Sequence, residues 1–294
     1  MTKFIGTGVA LITPFNADLS IDFEALERLV EYNIANGTDY LVISGTTGES
    51  ITVTPEEKVE LVNFIAKVNK GRIPLVLGIG GNNTASVVKE IKETDYSNID
   101  GILSVSPYYS KPTQEGIYQH FKAIAEVAPK PIILYNVPGR TSSNMTPETT
   151  LRLAKDFDAI VAVKEAGNNV HQYLELLRNK PKGFLVLSGD DDLALGVALA
   201  GGSGVISVIG QALPKEFSEM IRLGIARKAK EAYDIHFKLM PITALIFAEN
   251  NPSGVKAVLS ALKISKPHVR LPLVEATDDL KARIKTEVKN LGKS

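Results

Sequence analysis

Ile160-Val161-Ala162-Val163-Lys164, followed by a loop that begins with Glu165 and Gly167, decides the fold. Successive side chains of a strand point to opposite faces, so four apolar residues in a row require protein on both sides. Such runs mark parallel strands buried between layers. Working outward, comparable runs occupy residues 8–12, 40–44, 74–79, 101–106 and 131–135 before it, and 184–188 and 204–208 after it. The total is eight, and segments of helical periodicity lie between them.

The first intervening helix is expected over 22–36, with Ser20 as cap, Phe23, Leu26, Leu29 and Val30 on one face, and Gly37 as stop. Thr54-Pro55-Glu56-Glu57 and Thr146-Pro147-Glu148 each place a hydroxyl cap, an early proline and acids at a helix start. Further helices are expected at 84–94, 114–127, 170–177 and 191–200, and beyond the eighth strand at 215–229, 231–248 and 254–262. Alternating strands and helices give an α/β protein, most simply a closed (β/α)8 TIM barrel with additional C-terminal helices. The expected division is a barrel over 1–215 and a helical extension packed on it over 216–294. A doubly wound open sheet has similar local patterns, but Thr13-Pro14-Phe15 follows the first strand where a nucleotide-binding sheet carries Gly-x-Gly-x-x-Gly.

Composition narrows the function. The 33 Lys plus Arg balance 33 Asp plus Glu, which argues against a nucleic-acid partner. The absence of Cys excludes disulfides, thiolate nucleophiles and thiolate metal sites, and fits a reducing compartment. Neither a signal peptide nor an apolar stretch of membrane-spanning length is visible, so a cytoplasmic protein without membrane association is expected. His120, His171, His236 and His268 have no ligand spacing, and Gly-x-Ser-x-Gly is missing, so neither a metal centre nor a serine hydrolase is supported.

A barrel carries its chemistry at the carboxyl ends of its strands, and Lys164 ends the sixth. It reads either as an amine that snorkels to solvent or as a nucleophile able to form a Schiff base with a carbonyl substrate. Tyr135 closes the neighbouring strand, and Arg140 follows in Asn136-Val137-Pro138-Gly139-Arg140-Thr141. The phenol suits proton transfer and the guanidinium suits a carboxylate; a buried aromatic and a surface arginine are the plainer account. Ser44-Gly45-Thr46-Thr47-Gly48-Glu49-Ser50 offers hydroxyls and successive N–H groups as an anion cradle, or is simply a Gly/Thr-rich turn. Tyr108 and Tyr109 sit on the loop after strand four, where they either serve a site and a partner or pack over the barrel. Ser188-Gly189-Asp190-Asp191 is read as a helix cap in preference to a metal site.

Taken together, Gly8-Val9-Ala10-Leu11-Ile12-Thr13-Pro14-Phe15, Gly45-Thr46-Thr47-Gly48-Glu49-Ser50, Tyr135-Asn136-Val137-Pro138-Gly139-Arg140-Thr141, Lys164-Glu165-Ala166 and Gly204-Val205-Ile206-Ser207-Val208 resemble the dihydrodipicolinate synthase family. That family belongs to the pyruvate-dependent aldolase superfamily, which includes N-acetylneuraminate lyase. The resemblance implies a lyase of lysine and diaminopimelate biosynthesis that condenses pyruvate with L-aspartate 4-semialdehyde and needs no cofactor. It implies Lys164 as the imine-forming lysine, Tyr135 as proton carrier, Thr46 as relay hydroxyl and Tyr109 as a relay tyrosine reaching into the neighbouring subunit. It also implies Thr47 and Arg140 as carboxylate-binding residues, a backbone carbonyl of Ile206 at the site, and a homotetramer made of two tight dimers. Arg140 favours the synthase over a sialate or other 2-oxo-acid aldolase, and a noncatalytic binding barrel would not need the whole set. Ser50, Asn82 and Tyr108 match a lysine-binding allosteric pocket, but Lys58 and Ser86 stand where a histidine and a glutamate are found in lysine-inhibited relatives. Inhibition by lysine is therefore expected to be weak or absent.

Overall fold

The computed structural model describes residues 3–292. Eight parallel strands, β1 (Gly6–Ala10), β2 (Tyr40–Ile43), β3 (Leu75–Gly78), β4 (Gly101–Val105), β5 (Ile132–Asn136), β6 (Ile160–Glu165), β7 (Leu185–Ser188) and β8 (Gly204–Ser207), pair in sequence order. Pairing of β1 with β8, with Gly8 opposite Ile206, closes the barrel. Helices alternate with them as α1 (Phe23–Ala35), α2 (Pro55–Asn69), α3 (Thr84–Glu93), α4 (Gln114–Ala125), α5 (Pro138–Thr141), α6 (Pro147–Asp156), α7 (Val170–Asn179) and α8 (Ala194–Leu199). After β8 come a short 3-10 turn, α9 (Pro214–Ile225), α10 (Ala229–Phe247), α11 (Ser253–Ala261) and α12 (Asp278–Asn290).

Period-2 alternation sorts the strand side chains into two cores. Those facing outward join the helices in one large cluster that extends without a break to Leu239, Val258 and Ile284 of the last helices. Those facing inward fill the barrel with Ala10, Val42, Val76, Leu103, Ile133, Ala162 and Leu187. At the amino-terminal end the rings of Phe4 and Tyr40 meet edge to face, 5.8 Å apart, and close the barrel floor. They fit because Gly8 and Gly101 lie beneath them: a Cβ at Gly8 would come 2.1 Å from the Tyr40 ring, and one at Gly101 2.7 Å from Phe4.

Several local expectations are corrected. The cap of α1 is Asp22, whose carboxylate accepts from the Ala25 N–H at 2.9 Å, while Ser20 bonds to Asp18. Ile21 bridges back to Phe15, which ties down the chain before Asp22 and sets where the helix starts. The Ser188–Asp191 segment caps no helix: α8 begins at Ala194 without a side-chain cap. The Asp191 carboxylate instead accepts from the N–H groups of Val208 and Ile209 at the end of β8. Burial pushes that carboxyl up to about 6. Helix α12 went unread, although Thr277 caps it and Asp278 and Asp279 fill its first turn. No described helix is long and apolar enough to cross a membrane.

Candidate active site

Strand β6 ends with two charged residues facing opposite ways. Lys164 turns into the barrel mouth and is only 5 % exposed. Glu165 turns outward and is held by Asn136 Nδ2 at 2.9 Å and Gln172 Nε2 at 2.8 Å, while the Tyr173 hydroxyl donates to its backbone carbonyl. Burial pushes the Glu165 carboxyl up to about 7, against the pull of those donors. This network fixes the strand end from behind and with it the direction of Lys164.

The register of β5 and β6 places Tyr135 directly beside Lys164, with Nζ 4.4 Å from the phenol ring centre. Gly189, at the end of β7, leaves the space the lysine needs, because a Cβ there would stand 3.0 Å from Lys164 Cε. The resulting cavity, about 450 Å³, is lined by Lys164, Tyr135, Thr46, Thr47, Arg140 and Asn251 among others. Asp190 also lines it, accepts from the Asn168 N–H at 3.3 Å, and has its carboxyl raised by burial. Such a space accommodates a small keto acid and an aldehyde, with an amine at the base and a guanidinium at the rim. Among the described residues no group of three potential metal ligands exists.

In the β2–α2 loop the N–H groups that follow Thr47 are taken up within the turn. The N–H groups of Gly48 and Glu49 bond back to Gly45 and Thr46 at 3.1 Å, and that of Ser50 to Gly45, so the turn closes on itself. Thr47 is 3 % exposed and accepts from Asn251 Nδ2 at 2.9 Å. Two residues on, Glu49 meets Lys256 Nζ at 2.5 Å in an ion pair whose side chains are 1 % and 0 % exposed. The second Glu49 oxygen accepts from the Arg270 N–H at 2.9 Å. Arg140, on α5, reaches Asn250 Oδ1 and the Asn251 carbonyl at 3.4 Å. The sequence reading missed Glu49, Gly189, Asp190, Asn251 and Lys256, although the first lies within the quoted loop motif and the Asp190 pair stands after a strand.

Five predicted site residues, Tyr109, Ile206, Ser50, Asn82 and Tyr108, do not line this cavity within one chain. Tyr109 is 89 % exposed with φ of +70° and lines no part of it. Ile206 packs in the inner barrel core, and Asn82 lies exposed before α3. A second cavity of about 1010 Å³ shares Thr46, Tyr135, Arg140 and Asn251 and continues past Ser50, Ser86 and Tyr108. Along it Lys58 donates to Glu90 at 2.5 Å and to the Gly78 carbonyl at 2.8 Å, so its ammonium is already paired within the chain.

Comparison with known proteins agrees with this geometry. The dihydrodipicolinate synthetase family model matches residues 3–291. The 4-hydroxy-tetrahydrodipicolinate synthase of Flavobacterium psychrophilum is 57 % identical over 293 residues, covering 100 % of both chains. The crystal structure of dihydrodipicolinate synthase from Thermotoga maritima superposes with a TM-score of 0.97 at 38 % identity, covering 99 % of this chain and 100 % of that one. That of the chloride-inhibited synthase from Acinetobacter baumannii complexed with pyruvate gives 0.95 at 37 % identity, covering 99 % of each. With a strand-end lysine beside a tyrosine in a closed barrel, and relatives matching end to end, this chain belongs to the dihydrodipicolinate synthetase family.

Proposed function

We infer that the chain condenses pyruvate with L-aspartate 4-semialdehyde to 4-hydroxy-tetrahydrodipicolinate and water, a lyase step of lysine and diaminopimelate biosynthesis, through an imine on Lys164. The observation that carries the reading is the enclosure of Lys164 beside Tyr135, in a cavity that also holds Arg140. The lysine amine adds to the keto carbon of pyruvate, and the carbinolamine loses water to give the imine. Tyr135 carries protons in this step, with Thr46 and a tyrosine of the neighbouring subunit as the relay behind it. Loss of a methyl proton gives the enamine, whose carbon attacks the semialdehyde. The substrate amine then attacks the imine carbon, closes the ring and frees Lys164. Thr47 holds the pyruvate carboxylate, Arg140 that of the semialdehyde, and the Ile206 carbonyl borders the site. Support for Arg140 comes from its place at the rim, where a second reactant arrives after the first is bound.

Arg140→Ala tests the two-substrate assignment. Pyruvate trapping on Lys164 by borohydride should stay intact, while kcat/KM for the semialdehyde falls about 30-fold, or roughly 2 kcal/mol, the low end for a truncated charge contact because Arg140 is exposed. Equal loss of trapping and condensation in a folded variant defeats it.

The reading includes a tetramer of two tight dimers, in which Tyr109 of each chain completes the site next door. Its support is the exposure and left-handed backbone of Tyr109, an aromatic projected away from its own cavity. Tyr109→Phe and Lys164→Arg homodimers should both be poor enzymes. In the hybrid one site collects both defects and the other has an intact lysine and an intact neighbouring tyrosine, so activity returns on mixing under exchange conditions. Verified hybrids without recovery assign Tyr109 to its own chain.

A further inference from the structure

Three contacts tie the segment after α10 to the β2–α2 loop and the rim, and one of them sets the direction of a proton. Asn251 Nδ2 donates to Thr47 Oγ1 at 2.9 Å, and both residues line the cavity of Lys164. A hydroxyl has a single proton and rotates to suit its neighbours. With an amide N–H already directed at its oxygen, the Thr47 hydroxyl spends a lone pair there and keeps its proton for another acceptor. We propose that Asn251 is a positioning residue that turns the Thr47 hydroxyl proton toward the carboxylate of the bound keto acid. The inference rests on the assignment of Thr47 to that carboxylate.

The surroundings suit such a device better than a purely structural contact. Asn251 is buried, yet its Oδ1 has no hydrogen-bond partner. Buried orphan acceptors are uncommon and destabilising, so a residue kept for stability alone is poorly served by one. The reverse amide orientation would point Oδ1 at Thr47, take its proton and present lone pairs to an anion. The backbone of Asn251 is fixed on both sides: its N–H donates to Asn250 Oδ1 at 2.8 Å, and its carbonyl accepts from Arg140. Behind it, Lys256 on α11 grips Glu49 and the His268 carbonyl, at 2.5 and 2.7 Å. Thr47 and Asn251 are thus held from opposite ends of the chain, and their separation does not depend on the ligand.

The test is a double-mutant cycle in which pyruvate binding is read without the second substrate and turnover with it. Half-saturation of imine formation is followed by borohydride trapping and intact mass, and kcat is measured at saturating pyruvate. Thr47→Val should raise the half-saturating pyruvate concentration about tenfold. Asn251→Ala should raise it several-fold with kcat and thermal midpoint little changed, and Asn251→Asp should raise it further, because an acceptor there draws the Thr47 proton away. The Asn251→Ala/Thr47→Val double variant should be no worse than Thr47→Val, since the amide acts through a hydroxyl already absent. Additive losses, or an unchanged Asn251→Ala beside an impaired Thr47→Val, overturn the proposal and leave the role of Thr47 standing. An unchanged Thr47→Val overturns both.

Discussion

Lys164→Arg yields a folded protein that gives no borohydride-stable adduct with pyruvate and whose turnover falls by at least about three orders of magnitude, some 4 kcal/mol of barrier. The reason is chemical. A guanidinium stays protonated and offers no amine lone pair to a keto carbon, although it preserves the positive charge beside the Tyr135 ring. Peptide mapping of the wild-type adduct should place the added mass on Lys164. An adduct on another lysine, or trapping that survives in the variant, removes the imine from this residue. Circular dichroism guards against a trivial loss, since the longer side chain has to pass Gly189.

Lys256→Met should lower the unfolding free energy by about 3–5 kcal/mol, because it leaves the Glu49 carboxylate buried without its cation. Burial draws the Lys256 ammonium down to about 8, against the pull of the Glu49 carboxylate that faces it. The methionine keeps most of the aliphatic stem and deletes the ammonium, which sits 4.3 Å from the Phe15 ring centre and also bonds the His268 carbonyl. Adding Glu49→Met should recover much of the loss, as two well-packed apolar side chains need no counter-ion. Denaturant titration of Lys256→Met, Glu49→Met and the double variant reads this out. A drop under about 1 kcal/mol for the single variant, or a double variant as poor as the sum, means that the pair does not hold the loop.

What the sequence made legible has one physical character: it is local. Lys164 and Tyr135 stand out because a charged or phenolic group ends an apolar run, and strand periodicity then places both in the barrel mouth. The Thr54 and Thr146 helix starts are equally local, and both cap their helices as expected. Pairings made only by the closed chain could not be read. Glu49 and Lys256 lie 207 positions apart, Thr47 and Asn251 204, and no periodicity links them. Asp191 was misread because an acid near a helix start has a ready local explanation, whereas its partners lie just past the next strand. Tyr109 carries a mark that only the structure supplies, a ring almost wholly in solvent.

The aromatic floor of the barrel has a consequence for traffic. With Phe4 and Tyr40 sealing one end and apolar side chains filling the layers above, the site is closed at its floor. Both reactants, the expelled water and the product all pass the same rim. The amine that must be met first lies deepest, so the three-carbon acid has to descend and be anchored before the longer aldehyde enters. An aldehyde that arrives early stands between the acid and the amine. A closed floor and a buried amine thus favour the acid as the first arrival.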